Sequence, residues 1–136
     1  MDTPKLLPPR WWWLVLLVIL VCAGALRFTG YNFSLPYIDH VDEASYTLAA
    51  RMIIDSGSAK PIGMQGYPPG IIDVNYFFLR LFQDPSTPPT SIIWMVRLVS
   101  IGFSLATIVA LALLAFRIAT PLAGLLAAGL WTFTPI

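Results

Sequence analysis

The chain has 136 residues and a formal net charge of +1; hydrophobic residues make up 57% of it and charged residues only 11%. A soluble domain carries roughly 25% charged residues. A chain of this length keeps much of its surface exposed, so it cannot hide this apolar excess in a core. The composition therefore predicts an integral membrane protein. Nucleic acid is not expected as a partner, because no cluster of lysine and arginine is present to bind its phosphates.

Disulfide and metal chemistry have few candidate residues. The single cysteine, Cys22, lies in an apolar run and has no second cysteine with which to pair. The single histidine, His40, cannot build a zinc site alone. The sequence therefore predicts no cofactor, and it leaves metal dependence open.

Three apolar runs are predicted to cross the membrane as helices, over residues 11–28, 92–116 and 119–136. A crossing helix needs about 20 apolar residues. The second run meets this length with Arg97 as its only charge, the first is short, and the third continues to the last residue. The predicted fold is an all-α membrane domain in which residues 29–91 form one long loop.

The first run has a second interpretation, as a cleaved signal peptide. Lys5 and Arg10 make a basic segment before it, and Ala23-Gly24-Ala25 resembles a cleavage site. The tryptophans at 11–13 instead favour a retained span, because tryptophan anchors helices at the membrane interface.

The placement of charges predicts the orientation. Lys5 and Arg10 precede the first run and Arg117 lies between the second and third, so the positive-inside rule puts all three in the cytoplasm. The loop then faces outward, and it holds every acidic residue except Asp2. Its own basic residues are a mild counter-signal. The predicted location is the plasma membrane, with a cytoplasmic N-terminus.

The loop is predicted to contain two short helices at the membrane surface, over residues 42–56 and 70–82. In the first, two faces recur at helical spacing: apolar Tyr46, Ala49 and Ile53, and polar Glu43, Thr47, Arg51 and Asp55. The second is rich in apolar residues but too short to cross a bilayer. Both suit an interfacial position.

The densest group of ionisable residues is Asp39-His40-Val41-Asp42-Glu43. Asp42 leads the apolar face of the first predicted helix and Glu43 leads the polar face, because successive helical residues diverge by about 100°. One interpretation is structural: Asp39 or Asp42 caps the helix, and acids in the first turn complement its dipole. The functional alternative is a carboxylate near the bilayer surface that acts as a general base or positions an acceptor hydroxyl.

Two other features also have two interpretations. Tyr67-Pro68-Pro69-Gly70 is either a turn before a helix or the rigid wall of a site in which Tyr67 stacks on a sugar or lipid. Arg97 either extends its charge to the nearby interface or pairs with an acid or a lipid phosphate.

Three segments, in this order, resemble the N-terminal part of the GT-C glycosyltransferases: DHVDEASYTLAARMIIDSG, GYPPGIIDVNYFFLRLF and VRLVSIGFSLATIVALALLAFRIATPLAGLLAAGLWTFTP. The likeness is strongest to the dolichyl-phosphate-mannose protein mannosyltransferase and aminoarabinose transferase group. Those enzymes carry an Asp-Glu pair and a following Tyr on a helix of the first outer loop, and the matching residues are Asp42, Glu43 and Tyr46. Many also have a Pro-Pro pair and an Arg that opens the next span, and the matching residues are Pro68, Pro69 and Arg97.

The resemblance implies sugar transfer at the outer face of the membrane. The donor would be a polyprenyl-phosphate sugar, and the acceptor a protein, a lipid or a glycan. Asp42 and Glu43 would be catalytic, and the implied substrate-binding residues are Tyr46, Tyr67, Pro68, Pro69 and Arg97. Members of the family are several times longer, so the resemblance also predicts that this chain is a truncated fragment, and it leaves open whether the fragment alone is active.

Two alternatives belong to other functional classes. One is a non-enzymatic small membrane protein or assembly subunit that binds a partner through its outer loop. The other is a piece of a transporter, which ranks lower because Arg97 lies near a span end and Gly102 is the only clear break in an apolar run. The sequence identifies neither the sugar nor the acceptor.

Overall fold

The structure, a computed structural model, describes residues 7–32, 41–57, 69–82 and 87–134. These residues form five α-helices and no strand: α1 (Arg10–Thr29), α2 (Val41–Ser56), α3 (Pro69–Phe82), α4 (Pro89–Ile118) and α5 (Pro121–Thr132). The all-helical prediction is confirmed for this part of the chain. α2 and α3 each begin one residue before the predicted helix, and their position at a membrane surface remains a prediction.

Two helices have the length and apolar composition needed to cross a membrane. α1 has 20 residues and α4 has 30. At 1.5 Å per residue they are about 30 and 45 Å long, against a hydrocarbon core of about 30 Å. α5, predicted to span as residues 119–136, has 12 helical residues in the described chain. The structure therefore supports two spans by length, and the third crossing remains a prediction.

Proline and glycine set several helix boundaries. α3, α4 and α5 each begin with a proline, whose fixed φ and missing N–H suit the first helical position. For this reason α4 begins at Pro89, three residues before the predicted start of the span. Gly57 ends α2 with a φ of 66°, and its N–H donates to the Ile53 carbonyl at 3.0 Å. This left-handed conformation favours glycine.

The helices belong to two packed units, here called unit 1 (Met1–Gly30 with Ile101–Ile136) and unit 2 (Tyr31–Ser100). Unit 1 contains α1, the later part of α4 and α5. Unit 2 contains α2, α3 and the first turns of α4.

Two hydrogen bonds show that α1 and α5 run parallel in unit 1. Near the start of both helices, the indole Nε1 of Trp12 donates to the Pro121 carbonyl at 2.8 Å. Near the end of both, Nη1 of Arg27 donates to the Thr132 carbonyl at 3.2 Å. The two helices are therefore joined at both ends, start to start and end to end.

α4 runs antiparallel to α1. Near the end of α4, the ring of Phe116 lies 5.6 Å from that of Trp12, between centroids. Ser104, earlier in α4, accepts a hydrogen bond from Nε of Arg27 at 2.8 Å. The core of unit 1 combines all three helices through one cluster of buried residues: Trp12, Leu16, Ala23, Ile108, Ala112, Phe116, Leu125 and Ala128.

Arg27 joins the three helices of unit 1 at one end. Besides Ser104 and Thr132, it donates to the carbonyls of Ala23 at 3.2 Å and Trp131 at 3.3 Å. It lies in the last turn of α1 and beside the last carbonyls of α5, where the helix dipoles favour a cation. The guanidinium therefore binds the last two carbonyls of α5 and links that end to α1 and α4.

α5 turns its small residues inward. Gly124, Ala128 and Thr132 recur every four residues and are buried. The large side chains at intermediate positions are exposed: Leu122, Leu126 and Leu130. A β-carbon on Gly124 would meet the Ala112 carbonyl oxygen of α4 at 2.6 Å, so the two backbones approach each other closely at this glycine.

In unit 2, α2 and α3 pack side by side. Ala50 of α2, Leu79 of α3, and Ile92 and Val96 of α4 form one buried cluster. A second cluster joins α2 to α3 alone and contains Ala49, Ile53 and Ile72. α2 thus packs against two helices.

Candidate functional site

Asp42 and Glu43 occupy the second and third positions of α2, which begins at Val41. An N-cap residue stands immediately before the first helical residue, so Asp42 does not occupy the N-cap position. An acid in the first turn still complements the helix dipole. The side chains of residues 41–44 lie outside the described structure, as do Asp39 and His40 entirely.

Tyr46 follows Asp42 by one helical turn and is half-buried. It packs against the buried cluster of Ala49, Ile53 and Ile72. The apolar face predicted for α2 therefore packs against α3. Position 42 lies four residues before Tyr46, so it shares that face of the helix.

The polar face of α2 differs from the prediction at Thr47, which is only 7% exposed. Thr47 precedes Ala50 by three residues, and this side of α2 packs in the cluster that includes α4. The remaining part of the polar face is as expected: Nε of Arg51 lies 2.9 Å from Oδ2 of Asp55. The sequence pattern predicted one apolar face for α2, whereas Thr47, on the predicted polar face, is also buried.

Arg97 lies in the first part of α4 and is half-buried. Its Nη1 donates to the main-chain carbonyl of Tyr31 at 2.7 Å. The Tyr31 hydroxyl in turn donates to the Trp94 carbonyl at 3.3 Å, and the two rings have centroids 6.0 Å apart. A guanidinium has five N–H donors in a fixed fork, so this contact helps to orient Arg97.

Tyr31 and Trp94 were not predicted as part of the site. Trp94 precedes Arg97 by three residues on the same helix, and this spacing is a signal that the sequence contains. The contact of Tyr31 has no such signal, because it joins positions that are distant along the chain. The two aromatic residues and Arg97 form a small polar and aromatic group at the start of α4.

The segment with two prolines is described only in part. Tyr67 and Pro68 lie outside the described residues, and so does the side chain of Pro69. Pro69 is the first residue of α3, a position that proline favours. The interpretation as a turn before a helix therefore accounts for Pro69, and the role of the segment as a wall of a site remains a prediction.

Asn75 is a buried polar residue that the sequence reasoning did not single out. It is 3% exposed, and its Nδ2 has no hydrogen-bond partner in the described part of the chain. Ile72 and Leu79 flank it on the same face of α3, at helical spacing, and both are buried. An unpaired buried donor costs on the order of 1–3 kcal/mol. In the sequence, the available signal for a buried Asn75 was its position between Ile72 and Leu79 at helical spacing.

The described site residues of α2, α3 and α4 all belong to unit 2. Carboxylates can accept protons and a guanidinium can bind a phosphate. Among the residues that the structure describes, no group of three or more His, Cys, Asp or Glu could hold a metal ion. Comparisons of the chain with models of protein families, with curated proteins and with solved structures find no match.

Proposed function

We propose that this chain is a membrane-embedded glycosyltransferase that moves a sugar from a polyprenyl-phosphate donor to an acceptor at the outer face of the membrane. One observation carries the proposal: residues predicted from separate segments of the sequence belong to a single packed unit. Asp42 and Tyr46 lie in α2, Pro69 begins α3, and Arg97 lies in the first part of α4. The three helices share one buried cluster, and this shared packing supports a joint site.

The distribution of buried residues supports a membrane location. Only 17% of each of the two long apolar stretches is buried, whereas a core helix of a soluble protein is mostly buried. In unit 1 the contacts of α5 include small residues such as Gly124 and Ala128, and Leu122, Leu126 and Leu130 of the same helix face outward. Helices that associate in lipid have this arrangement, because lipid provides no hydrophobic force between them.

The helix directions in unit 1 support the proposed orientation. α1 and α4 are antiparallel, as two successive crossings in opposite directions would be. The start of α1 and the end of α4 lie at the same end of the unit, and they carry Arg10 and Arg117. The positive-inside rule places this end in the cytoplasm. α5 runs parallel to α1, as a third crossing would.

In the proposed reaction, Asp42 removes one proton. The acceptor hydroxyl or amine attacks the anomeric carbon, the bond from that carbon to the phosphate oxygen breaks, and the acceptor proton passes to the Asp42 carboxylate. Glu43 orients the acceptor, and the polyprenyl phosphate leaves with the bonding electrons. Arg97 is the candidate cation for the leaving phosphate. An inverting transfer needs only one such base, by analogy with glycoside hydrolysis.

The test is a pair of matched substitutions on one helix. Asp42→Asn keeps the size of the side chain but removes the proton acceptor, and loss of a general base lowers rates by about 10²–10⁴. Asp55→Asn is the control: it removes the same charge from the other end of α2, where an exposed ion pair contributes about 0–1 kcal/mol. Transfer from a radiolabelled polyprenyl-phosphate sugar is measured in membranes that contain equal amounts of each protein. Near-normal transfer by Asp42→Asn would refute the catalytic assignment.

Partner binding is a second candidate, favoured by exposed apolar side chains on α3: Phe77, Leu81 and Phe82. A non-enzymatic subunit would use such a surface to hold another protein. Photo-crosslinking from position 82 would capture that protein, and Leu81→Ser would abolish the crosslink. Sugar transfer by the same membranes that Asp42→Asn abolishes would instead identify the enzyme.

A further inference from the structure

Two arginines lie free at one end of unit 1. Arg10 is the first residue of α1 and Arg117 lies in the last turn of α4. Both side chains are exposed, and neither makes a hydrogen bond or ion pair with the described chain. Trp12 and Phe116, close neighbours of the two arginines in sequence, have ring centroids 5.6 Å apart. The antiparallel helices therefore bring both charges to the same end.

Two exposed tryptophans accompany these charges. Trp11 is 52% and Trp13 is 44% exposed, while Trp12 between them is fully buried. Tryptophan is enriched at the interface between lipid headgroups and acyl chains, because its ring is apolar and its N–H is polar. We call the group of Arg10, Trp11, Trp13 and Arg117 the basic end of unit 1.

The positive charge of the basic end is not compensated within the described part of unit 1. Residues 7–30 and 101–134 contain no aspartate or glutamate. Two helices, α1 and α5, begin at this end, and neither has an acid in its first turn. A helix N-terminus carries a partial positive charge and a C-terminus a partial negative one, so the two starts outweigh the one helix end, that of α4, which lies beside Arg117.

At the opposite end of unit 1, the cationic side chain is hydrogen-bonded within the protein. Its cation, Arg27, makes four hydrogen bonds to Ala23, Ser104, Trp131 and Thr132. Most of its donors are thus used within the protein, and its charge lies against the C-terminal carbonyls of α5. Available positive charge in unit 1 is therefore concentrated at the basic end.

We propose that the basic end binds the headgroups of anionic phospholipids. The inference rests on the membrane location proposed above. It adds to that proposal the class of lipid that is bound and the part of unit 1 that binds it. The exposed tryptophans favour lipid over a free anion, because they position the arginines at headgroup depth. An arginine near an anionic bilayer surface gives on the order of fivefold local enrichment of such lipid, and salt screens the effect.

The experiment measures which lipid lies beside the tryptophans. Trp94→Phe and Trp131→Phe leave tryptophan only at positions 11–13, and both changes preserve the main-chain carbonyls that accept hydrogen bonds. The full chain is reconstituted in phosphatidylcholine vesicles that contain an equal mole fraction of phosphatidylglycerol. Either lipid is then supplied with brominated acyl chains, which quench nearby tryptophan fluorescence. We expect brominated phosphatidylglycerol to quench the fluorescence severalfold more strongly than brominated phosphatidylcholine. The ratio of the two quenching strengths should fall as salt is added.

Substitutions test whether the two arginines cause this difference in quenching between the two lipids. Arg10→Gln with Arg117→Gln should bring the ratio to about one, and the corresponding double change to lysine should preserve it, because lysine keeps the charge. Arg80→Gln removes an exposed arginine of unit 2 and should leave the ratio unchanged. Equal quenching of the unsubstituted chain by both lipids, or a ratio unaffected by the double glutamine change, would overturn the inference. Quenching by neither lipid would overturn the membrane location as well.

Discussion

Gly124 approaches Ala112 so closely that a β-carbon on the glycine would stand 2.6 Å from the Ala112 carbonyl oxygen. The obstacle is backbone, which cannot rotate away as a side chain would. We therefore expect Gly124→Ala to separate α5 from α4 and to lower the free energy of unfolding by about 1–3 kcal/mol, as overpacking does. The measurement is thermal unfolding of the purified chain in detergent micelles.

Gly129→Ala is the matched control for this substitution. It lies in the same helix, and a β-carbon there meets nothing within 4 Å. Alanine stabilises a helix interior relative to glycine by up to about 1 kcal/mol. The two alanine changes should therefore shift the unfolding temperature in opposite directions, and equal shifts would contradict the close approach at Gly124.

Trp12 is predicted to stabilise unit 1 through one hydrogen bond in addition to its packing. Trp12→Phe keeps an aromatic ring in the core but removes the Nε1 donor to the Pro121 carbonyl. We expect a loss of roughly 1–3 kcal/mol, because the partly buried carbonyl loses this donor and the smaller ring packs less completely. Trp11→Phe, at a half-exposed position, should change the unfolding temperature little. Similar effects at both positions would argue against the bond.

Asn75→Leu should raise the stability of unit 2. The substitution replaces a buried amide, whose Nδ2 is unpaired in the described chain, by an apolar side chain of similar size among Ile72 and Leu79. Removing an unsatisfied buried donor recovers up to about 1–3 kcal/mol. Chemical denaturation, monitored by circular dichroism, measures the difference in the free energy of unfolding between the variant and the unsubstituted chain. A destabilisation would show that the amide has an acceptor in the folded protein.

The proposed orientation predicts which positions are labelled from outside intact cells. In a Cys22→Ala background, Ser56→Cys lies at the exposed end of α2 and Ala119→Cys in the exposed turn between α4 and α5. A membrane-impermeant maleimide should label position 56 in intact cells and position 119 only after permeabilisation. The reverse pattern would invert the topology, and labelling of both positions in intact cells would rule out α4 as a span.

Local pattern predicted where the helices of this protein lie. Residues 42–56 and 70–82 have helical periodicity, and the helices found there begin within one residue of the predicted starts. The long apolar runs likewise predicted α1 and α4. The predicted residues 119–136 extended beyond α5, because hydropathy alone gives no signal for the point at which a helix ends. At the observed end of α5, the carbonyls of Trp131 and Thr132 accept hydrogen bonds from Arg27, a contact that hydropathy does not encode.

The candidate site was predictable only in part. The periodicity of α2 correctly assigned Tyr46, Ala49 and Ile53 to one buried or half-buried face, but it did not identify α3 as the element that covers that face. Thr47 was assigned to the polar face and is buried, because a second helix, α4, also packs against α2. A periodic pattern shows that a face is buried, whereas the number and direction of its neighbours depend on how the chain folds back.

By itself, the sequence determined the all-helical character and the two helices of spanning length, because both follow from composition and from repeats within a few residues. Only the tertiary structure decided the parallel course of α1 and α5, the joining of three helices by Arg27, and the contact of Arg97 with Tyr31. These contacts join residues that are distant along the chain, and no local pattern specifies them. They depend on backbone approach, as at Gly124, and on the need of each buried donor and carbonyl for a partner.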